Sequence, residues 1–142
     1  ANKTSITWHE PSDSPFVVTH LEQGITVEQE RPIMYRIVDV PKCLERLRAL
    51  SPLSFTIEVV DEVLPENSGV WSVQVRVQAS EVQPGSNPDL RLSVNRLAQA
   101  FMGEPSLEQL VQQEAISVLN MEGVEQAMLA MPRRSVYCLD HF

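Results

Sequence analysis

The fold is decided by Leu53-Ser54-Phe55-Thr56-Ile57-Glu58-Val59, in which apolar and polar side chains alternate. A second alternating stretch runs from Trp71 to Ala79. Because successive side chains of a β-strand point to opposite sides of the sheet, each stretch predicts a strand with one buried face. The segment between them, residues 61–69, suits a long hairpin loop, so we expect antiparallel pairing. We predict that six side chains share the buried face: Phe55, Ile57, Trp71, Val73, Val75 and Val77.

The segment before this hairpin predicts a further strand and a helix. Ile33–Val38 is rich in β-branched and aromatic side chains and is predicted as a strand. Asp39 follows as a helix N-cap, with Pro41 in the first turn. The helix is expected to end before Pro52 and to bury Leu44, Leu47 and Leu50, which recur every third residue.

The last third of the chain is predicted to be mainly helical, after a short strand at Leu90–Leu92. Ser93 is suited to cap the first helix, and Gly103 to end it. Ser106 and Gln109 have the spacing of a capping box for a second helix. A third helix carries Val124, Ala127, Met128 and Met131. The order of strands and helices predicts an α+β fold, a mostly antiparallel sheet of about five strands with helices covering one face.

Residues 1–32 show weaker patterns. Thr4–Trp8 and Ile25–Val27 predict brief strands, and Asp13 or Ser14 can cap a short helix that begins at Pro15. The chain begins without an initiator Met, which suggests a processed protein or a piece of a longer one. We therefore expect this segment to be an arm that belongs to something larger.

Composition excludes several classes of protein. The chain has 142 residues, enough for one domain, and its net charge of −8 argues against binding to nucleic acid. No apolar run is long enough to span a membrane and no secretory signal is visible, so a cytoplasmic protein is expected. Cys43 and Cys138 are expected to be reduced thiols. The three histidines, His9, His20 and His141, lack metal-ligand spacing, and no metal site is expected.

A cluster of flexible apolar residues leaves two interpretations open. Met121, Met128 and Met131, with Phe101, can simply fill the core, which is the simpler interpretation of helical spacing. They can also form the pliable wall of a lipid-sized pocket between the sheet and the helices. An apolar-ligand carrier is therefore one alternative function, and a structural domain for oligomer contacts is another.

Two segments carry a resemblance to a known family. Tyr35-Arg36-Ile37-Val38-Asp39-Val40-Pro41-Lys42-Cys43-Leu44 resembles an arginine–aliphatic–aliphatic–Asp–aliphatic–Pro motif, although Cys43 stands where the family often has Ala. Residues 92–107 resemble that family's strand followed by a helix ending in Gly103. The family is the sterol-carrier-like C-terminal domain of enhanced-intracellular-survival (Eis) type acetyltransferases of the GNAT superfamily. The resemblance implies a sterol-carrier-like domain over residues 33–142, preceded by the end of a GNAT-like region in residues 1–32.

This resemblance implies a part of an enzyme. The family transfers an acetyl group from acetyl-CoA to amines, and it holds acetyl-CoA in a pyrophosphate loop of the first GNAT region. No such loop occurs in these 142 residues, so the chain by itself is expected to bind no cofactor and to be inactive. The implied partners are the GNAT regions of the same polypeptide and an amine substrate, and we expect a homo-oligomer.

The resemblance also implies one catalytic group. In the family, the carboxylate of the last residue acts as the general base that takes the proton of the amine, and here that residue is Phe142. The side chains of Asp140 and His141 are rival bases. An aromatic last residue suits a docked tail better than a free one, because a docked ring buries apolar area.

Overall fold

The structure, a computed structural model, describes residues 4–11, 13–30 and 34–137. These residues divide into two units, each described here by itself. One unit comprises the described residues within Ala1–Met34 and Ser135–Phe142, and the other is Tyr35–Arg134. In the described part of the chain, no helix is long and apolar enough to cross a membrane.

Among its described residues, the first unit contains one short helix, α1 (Pro15–His20), which continues into a 3₁₀ turn at Leu21–Gln23. Ser14 caps α1, because its hydroxyl accepts a hydrogen bond from the Phe16 N–H at 3.3 Å, and this choice between the two predicted caps is now settled. Thr4–Trp8 and Ile25–Val27 are not strands, so both predictions are wrong. A strand needs a neighbour for its backbone groups, and neither run has one in the described chain.

The second unit contains five strands that form one mixed sheet. They are β1 (Leu53–Val60), β2 (Gly69–Val75), β3 (Glu81–Pro84), β4 (Leu90–Ser93) and β5 (Ser117–Val118). The strand order is β3-β2-β1-β4-β5, with β1 and β4 parallel and the other neighbours antiparallel. The predicted α+β class, the mostly antiparallel sheet and the antiparallel pairing of β1 with β2 are confirmed.

The register of β1 and β2 places the predicted apolar face towards the core. Phe55 lies opposite Val73, and Ile57 lies opposite Trp71. Phe55, Ile57, Val73 and Val75 are at most 2% exposed, whereas Trp71 is only partly buried. Val77 is 59% exposed, so its predicted burial is wrong. Strand β2 ends at Val75, and the chain then turns so that the Ser80 hydroxyl donates to the Leu47 carbonyl at 2.6 Å.

Four helices complete the second unit: α2 (Val40–Leu44), α3 (Val94–Met102), α4 (Leu107–Gln112) and α5 (Met121–Ala130). Three predicted N-caps, Asp39, Ser93 and Ser106, each accept a hydrogen bond from a backbone N–H of the helix that they precede. The capping box of Ser106 with Gln109 is complete. Gly103 ends α3 with a φ of 95°, as its position predicted.

The segment before β1 differs from its prediction in two respects. Residues 34–38 form no strand, and Val38 is 71% exposed. Helix α2 ends at Leu44, and irregular turns follow, so Leu47 is buried while Leu50 is 99% exposed. The spacing of Leu44, Leu47 and Leu50 therefore extends beyond the end of α2, and it does not mark the length of the helix.

The core lies between the helices and one face of the sheet. It includes inward residues of β1 and β4 together with Leu97 of α3, Leu110 of α4 and Val124 of α5, all buried. We expect Val75→Ala to lower the free energy of unfolding by about 1–3 kcal/mol, because it removes two buried methyl groups. Val77→Ala is the matched control and should change it by less than about 0.5 kcal/mol. Urea unfolding followed by circular dichroism measures both, and equal effects would contradict the assigned end of β2.

Candidate functional site

The segment from Arg36 to Pro41 anchors the start of the second unit to the sheet. The Arg36 guanidinium donates to both carboxylate oxygens of Asp61, at 2.7 and 2.9 Å. The Val40 N–H donates to the Asn67 side-chain oxygen at 3.0 Å, and Val40 is buried. Asp39 caps α2 through a 2.9 Å bond from the Lys42 N–H. Each polar residue of the motif thus has a structural role.

Asp61 stands at the centre of this polar network, and its side chain is 1% exposed. The Asn67 side-chain N–H donates to it at 2.9 Å, and the backbone N–H groups of Val63 and Leu64 each donate at 3.0 Å. The Asn67 bond, followed by those from the backbone and Arg36, lowers the pKa of the Asp61 carboxyl far below its usual range, although burial opposes the shift. An ionised carboxylate held by five hydrogen bonds suits a structural anchor better than a proton acceptor.

This lowered pKa predicts a loss of stability in acid. The unfolded carboxyl titrates near a pKa of about 3.9, so the ionised form contributes stability above that pH and loses it as the pH falls towards the folded pKa. We therefore expect the stability difference between the wild type and Asp61→Asn to be largest at neutral pH and to shrink below about pH 4. The control is Glu81→Gln, in an exposed 3.6 Å pair with Arg76. A difference that stays constant between pH 7 and pH 3 in urea unfolding would contradict this assignment.

Cys43 lies on α2 close to the same motif. Burial, and secondarily the negative charge of Asp39, raises the pKa of its thiol to about 12. A thiol with this pKa stays protonated at neutral pH and is a poor nucleophile. Cys43 is therefore a packing residue.

The turn between α3 and α4 receives both ends of the second unit. The hydroxyl of Tyr35, the first residue of the unit, donates to the Glu104 carbonyl at 3.2 Å. The N–H of Arg134, its last residue, donates to the Gly103 carbonyl at 3.1 Å. Two adjacent carbonyls thus fix the points where the chain enters and leaves this unit.

The predicted catalytic group is beyond the part of the chain that the structure describes. Phe142 and its rivals Asp140 and His141 lie outside the described residues, as does Cys138. His9 and His20 both belong to the first unit. Among residues 4–11, 13–30 and 34–137, no group of three His, Cys, Asp or Glu side chains could hold a metal ion.

The methionines do not surround one pocket. Met131 is buried, Met128 is partly buried, and Met121 is 51% exposed on the opposite end of α5. Buried side chains from the sheet and the helices form one core cluster in the second unit. Beside α4 and α5 lies a groove of about 400 Å³ that is open to solvent, lined by Ser106, Glu108, Glu125, Met128, Leu129, Met131, Pro132 and Arg133.

The arrangement of α2 to α5 around the sheet matches a known domain. The family model described as "Sterol carrier protein domain" matches residues 40–139. The chain belongs to this sterol carrier protein domain family. The matched region includes the sheet, helices α2 to α5 and the turn at Gly103.

Solved structures with this sterol carrier protein domain fold include acetyltransferases. The chain is similar to a GCN5-related N-acetyltransferase from Anabaena variabilis, with 25% identity, a TM-score of 0.62 and coverage of 70% of this chain and 26% of that one. It has the fold of part of Eis1 from Mycobacterium abscessus, at 23% identity, a TM-score of 0.60 and coverage of 70% and 25%. It also has the fold of part of a GCN5-related N-acetyltransferase from Kribbella flavida, at 22% identity and a TM-score of 0.65. That match covers 75% of this chain and 28% of the other.

The chain therefore spans about a quarter of the length of these solved structures. No curated protein matches it. Sequence patterns identified the caps and the motif from Arg36 to Pro41, but they missed the partners Asp61 and Asn67. The sequence signal that could have pointed to a paired carboxylate is the position of Asp61 directly after an apolar strand, since a carboxylate that becomes buried there needs a partner.

Proposed function

We propose that this chain is the C-terminal portion of an acetyl-CoA-dependent N-acetyltransferase of the Eis type. The observation that carries the proposal is the 25% identical GCN5-related N-acetyltransferase, of which the chain matches 26%. In such an enzyme, this domain walls the pocket of the amine acceptor and delivers the terminal carboxylate of Phe142 to it. Acetyl-CoA is bound by the acetyltransferase regions of the same polypeptide.

The charge and sequence of the chain are consistent with a role at the acceptor site and with acetyl-CoA bound elsewhere in the polypeptide. A net charge of −8 suits a cationic amine, although many proteins are acidic. The N-termini of α1 to α4 are capped by side chains, and the sequence has no glycine-rich loop to cradle a pyrophosphate. The domain therefore contributes to the acceptor side of the reaction.

The proposal is tested on the longer polypeptide that contains this chain and on the chain alone. The longer protein is expected to release CoA from acetyl-CoA when primary amines are supplied, as measured with a thiol reagent. The 142-residue chain is expected to give no such release and no heat on titration with CoA. Micromolar binding of CoA to the chain alone would contradict the proposal, as would a longer protein that acetylates none of a panel of amines.

The family name favours a second candidate, a carrier of an apolar ligand. The groove with Met128 and Leu129 offers apolar surface, whereas buried apolar side chains of the sheet and helices pack into one core cluster. Extraction of the purified protein followed by mass spectrometry distinguishes the two functions. A stoichiometric fatty acid or sterol would favour the carrier over the acetyltransferase domain.

A further inference from the structure

The groove beside α4 and α5 has an apolar floor that the core holds in place. Met131 is 2% exposed, Met128 packs against the core cluster, and both line the groove. Leu129 adds apolar surface at the rim, where it is 65% exposed. The volume of about 400 Å³ lies in the size range of sites for small ligands. The groove can therefore cover the apolar part of a small molecule and leave one side of it in water.

The charged side chains around this floor are mainly carboxylates. Glu108, in the first turn of α4, and Glu125, on α5, line the groove together with Arg133. Within the described part of the chain, neither Glu125 nor Arg133 forms a salt bridge. Glu108 accepts a long bond of 3.5 Å from the uncharged Gln112 side chain. The charges of the groove are therefore not neutralised by one another.

The sequence around the groove is also acidic. Residues 104–132, which contain α4, β5 and α5, include five glutamates and no lysine, arginine or histidine. Such a concentration of one sign of charge raises the local concentration of ligands of the opposite sign. In the lower dielectric beside apolar surface, a carboxylate attracts a cation more strongly than it does in bulk water. The groove thus complements a molecule that carries a positive charge on an apolar body.

We propose that this groove binds an organic cation, in which an ammonium group is attached to an apolar chain. The chain lies on the apolar floor, and the ammonium group lies beside Glu108 and Glu125. A fatty acid is the competing occupant, because Arg133 can pair with a carboxylate, but the two glutamates and the acidic segment around them favour the cation. The inference does not depend on the proposed acetyl transfer, since the groove lies within the second unit and is tested on the 142-residue chain.

The first experiment titrates the nitrogen-15-labelled chain with octylammonium chloride, below the concentration at which it forms micelles, and follows the backbone amides by NMR. The amides of Glu108, Glu125, Leu129 and Arg133 are expected to shift and to saturate with a dissociation constant of about 1 mM. Butylammonium is expected to bind at least about tenfold more weakly, because fewer methylene groups leave water. Octanoate is also expected to bind at least about tenfold more weakly than octylammonium, because its charge has the wrong sign. Equal or tighter binding of octanoate, or shifts that do not saturate or lie elsewhere, would overturn the inference.

Two pairs of variants at exposed positions test the acidic rim and the apolar floor. Glu125→Gln is expected to weaken octylammonium binding at least about threefold, whereas Glu122→Gln, on the same helix but outside the groove, should leave it unchanged. Leu129→Ser is expected to weaken it at least about threefold, and Leu119→Ser is the control, because Leu119 is 55% exposed but does not line the groove. Equal effects within either pair would overturn the inference.

Arg133→Gln tests the sign of the preferred charge. Because the guanidinium repels an ammonium group, this variant is expected to bind octylammonium about twofold more tightly and octanoate more weakly. Weaker binding of octylammonium by Arg133→Gln would overturn the inference. Amides of the groove that shift when the chain is diluted without octylammonium would show that a second copy occupies it, and would also overturn the inference. Saturable binding of octylammonium, combined with no acetyl transfer by the longer polypeptide, would overturn the proposed function alone.

Discussion

Gly123→Ala is expected to lower the free energy of unfolding by roughly 2–4 kcal/mol, although alanine normally favours a helix interior. Gly123 lies in the first turn of α5, and its missing Cβ would collide with the carboxyl group of Asp89. That carboxylate accepts a 2.7 Å bond from the Thr56 N–H of β1 and another from the Asn120 side chain. An added methyl group therefore pushes apart a helix and the central strand.

A double-mutant cycle separates the collision from other effects of the added methyl group. In an Asp89→Ala background, the obstructing carboxylate is absent, and Gly123→Ala should then stabilise the protein by up to about 1 kcal/mol through helix propensity. The sign of the effect thus reverses between the two backgrounds. Chemical unfolding followed by circular dichroism measures all four proteins, and the same loss in both backgrounds would contradict the collision.

In the acetyltransferase that we propose, amidation of the Phe142 carboxylate is expected to lower kcat by about 10²–10⁴, the range associated with a general base. Addition of one Gly after Phe142 should have a similar effect, because it moves the charge by about 3.5 Å and leaves the ring. An α-carboxyl group has a reference pKa of about 3.3–3.7, so it is a weak base at neutral pH. Catalysis by this group therefore requires either desolvation, which raises the pKa of the carboxyl, or a water molecule that relays the proton.

Three variants identify the group that acts. Phe142→Ala keeps the carboxylate and removes the ring, so it should lower kcat less than amidation does. His141→Ala and Asp140→Asn remove the rival bases and should leave kcat within about threefold of the wild type. Steady-state release of CoA measures each rate. An amidated enzyme within about threefold of the wild type, well below the usual general-base contribution, would exclude the carboxylate as the base.

Sequence patterns predicted correctly those features that depend on residues close together in the chain. The caps at Ser93 and Ser106 need only a side chain and a backbone N–H a few residues away, and both were predicted from sequence. Strand β3 (Glu81–Pro84) was missed, because its residues show no apolar alternation and it forms by pairing with β2. Val77 continued an alternating pattern beyond the end of its strand, and an alternating pattern cannot mark where pairing stops.

The site depended on contacts that no local pattern contains. Arg36 and Asp61 lie 25 residues apart, and Tyr35 and Glu104 lie 69 apart. The motif from Arg36 to Pro41 was found by resemblance, but its partners emerge only when the sheet and the turn after α3 are in place. The positive φ of Gly103 was predicted, whereas the packing of Arg134 against it was not.

The parallel pairing of β1 with β4 has a consequence for the speed of folding. Strands β1, β2 and β3 follow one another in sequence as antiparallel neighbours, so their pairing is comparatively local. Strand β4 must instead return to the other side of β1, joining Thr56 to Asp89 across 33 residues. Such non-local closure slows folding in small domains. Substitutions at Asp89 are therefore expected to report, in stopped-flow refolding, whether this closure occurs before or after the rate-limiting step.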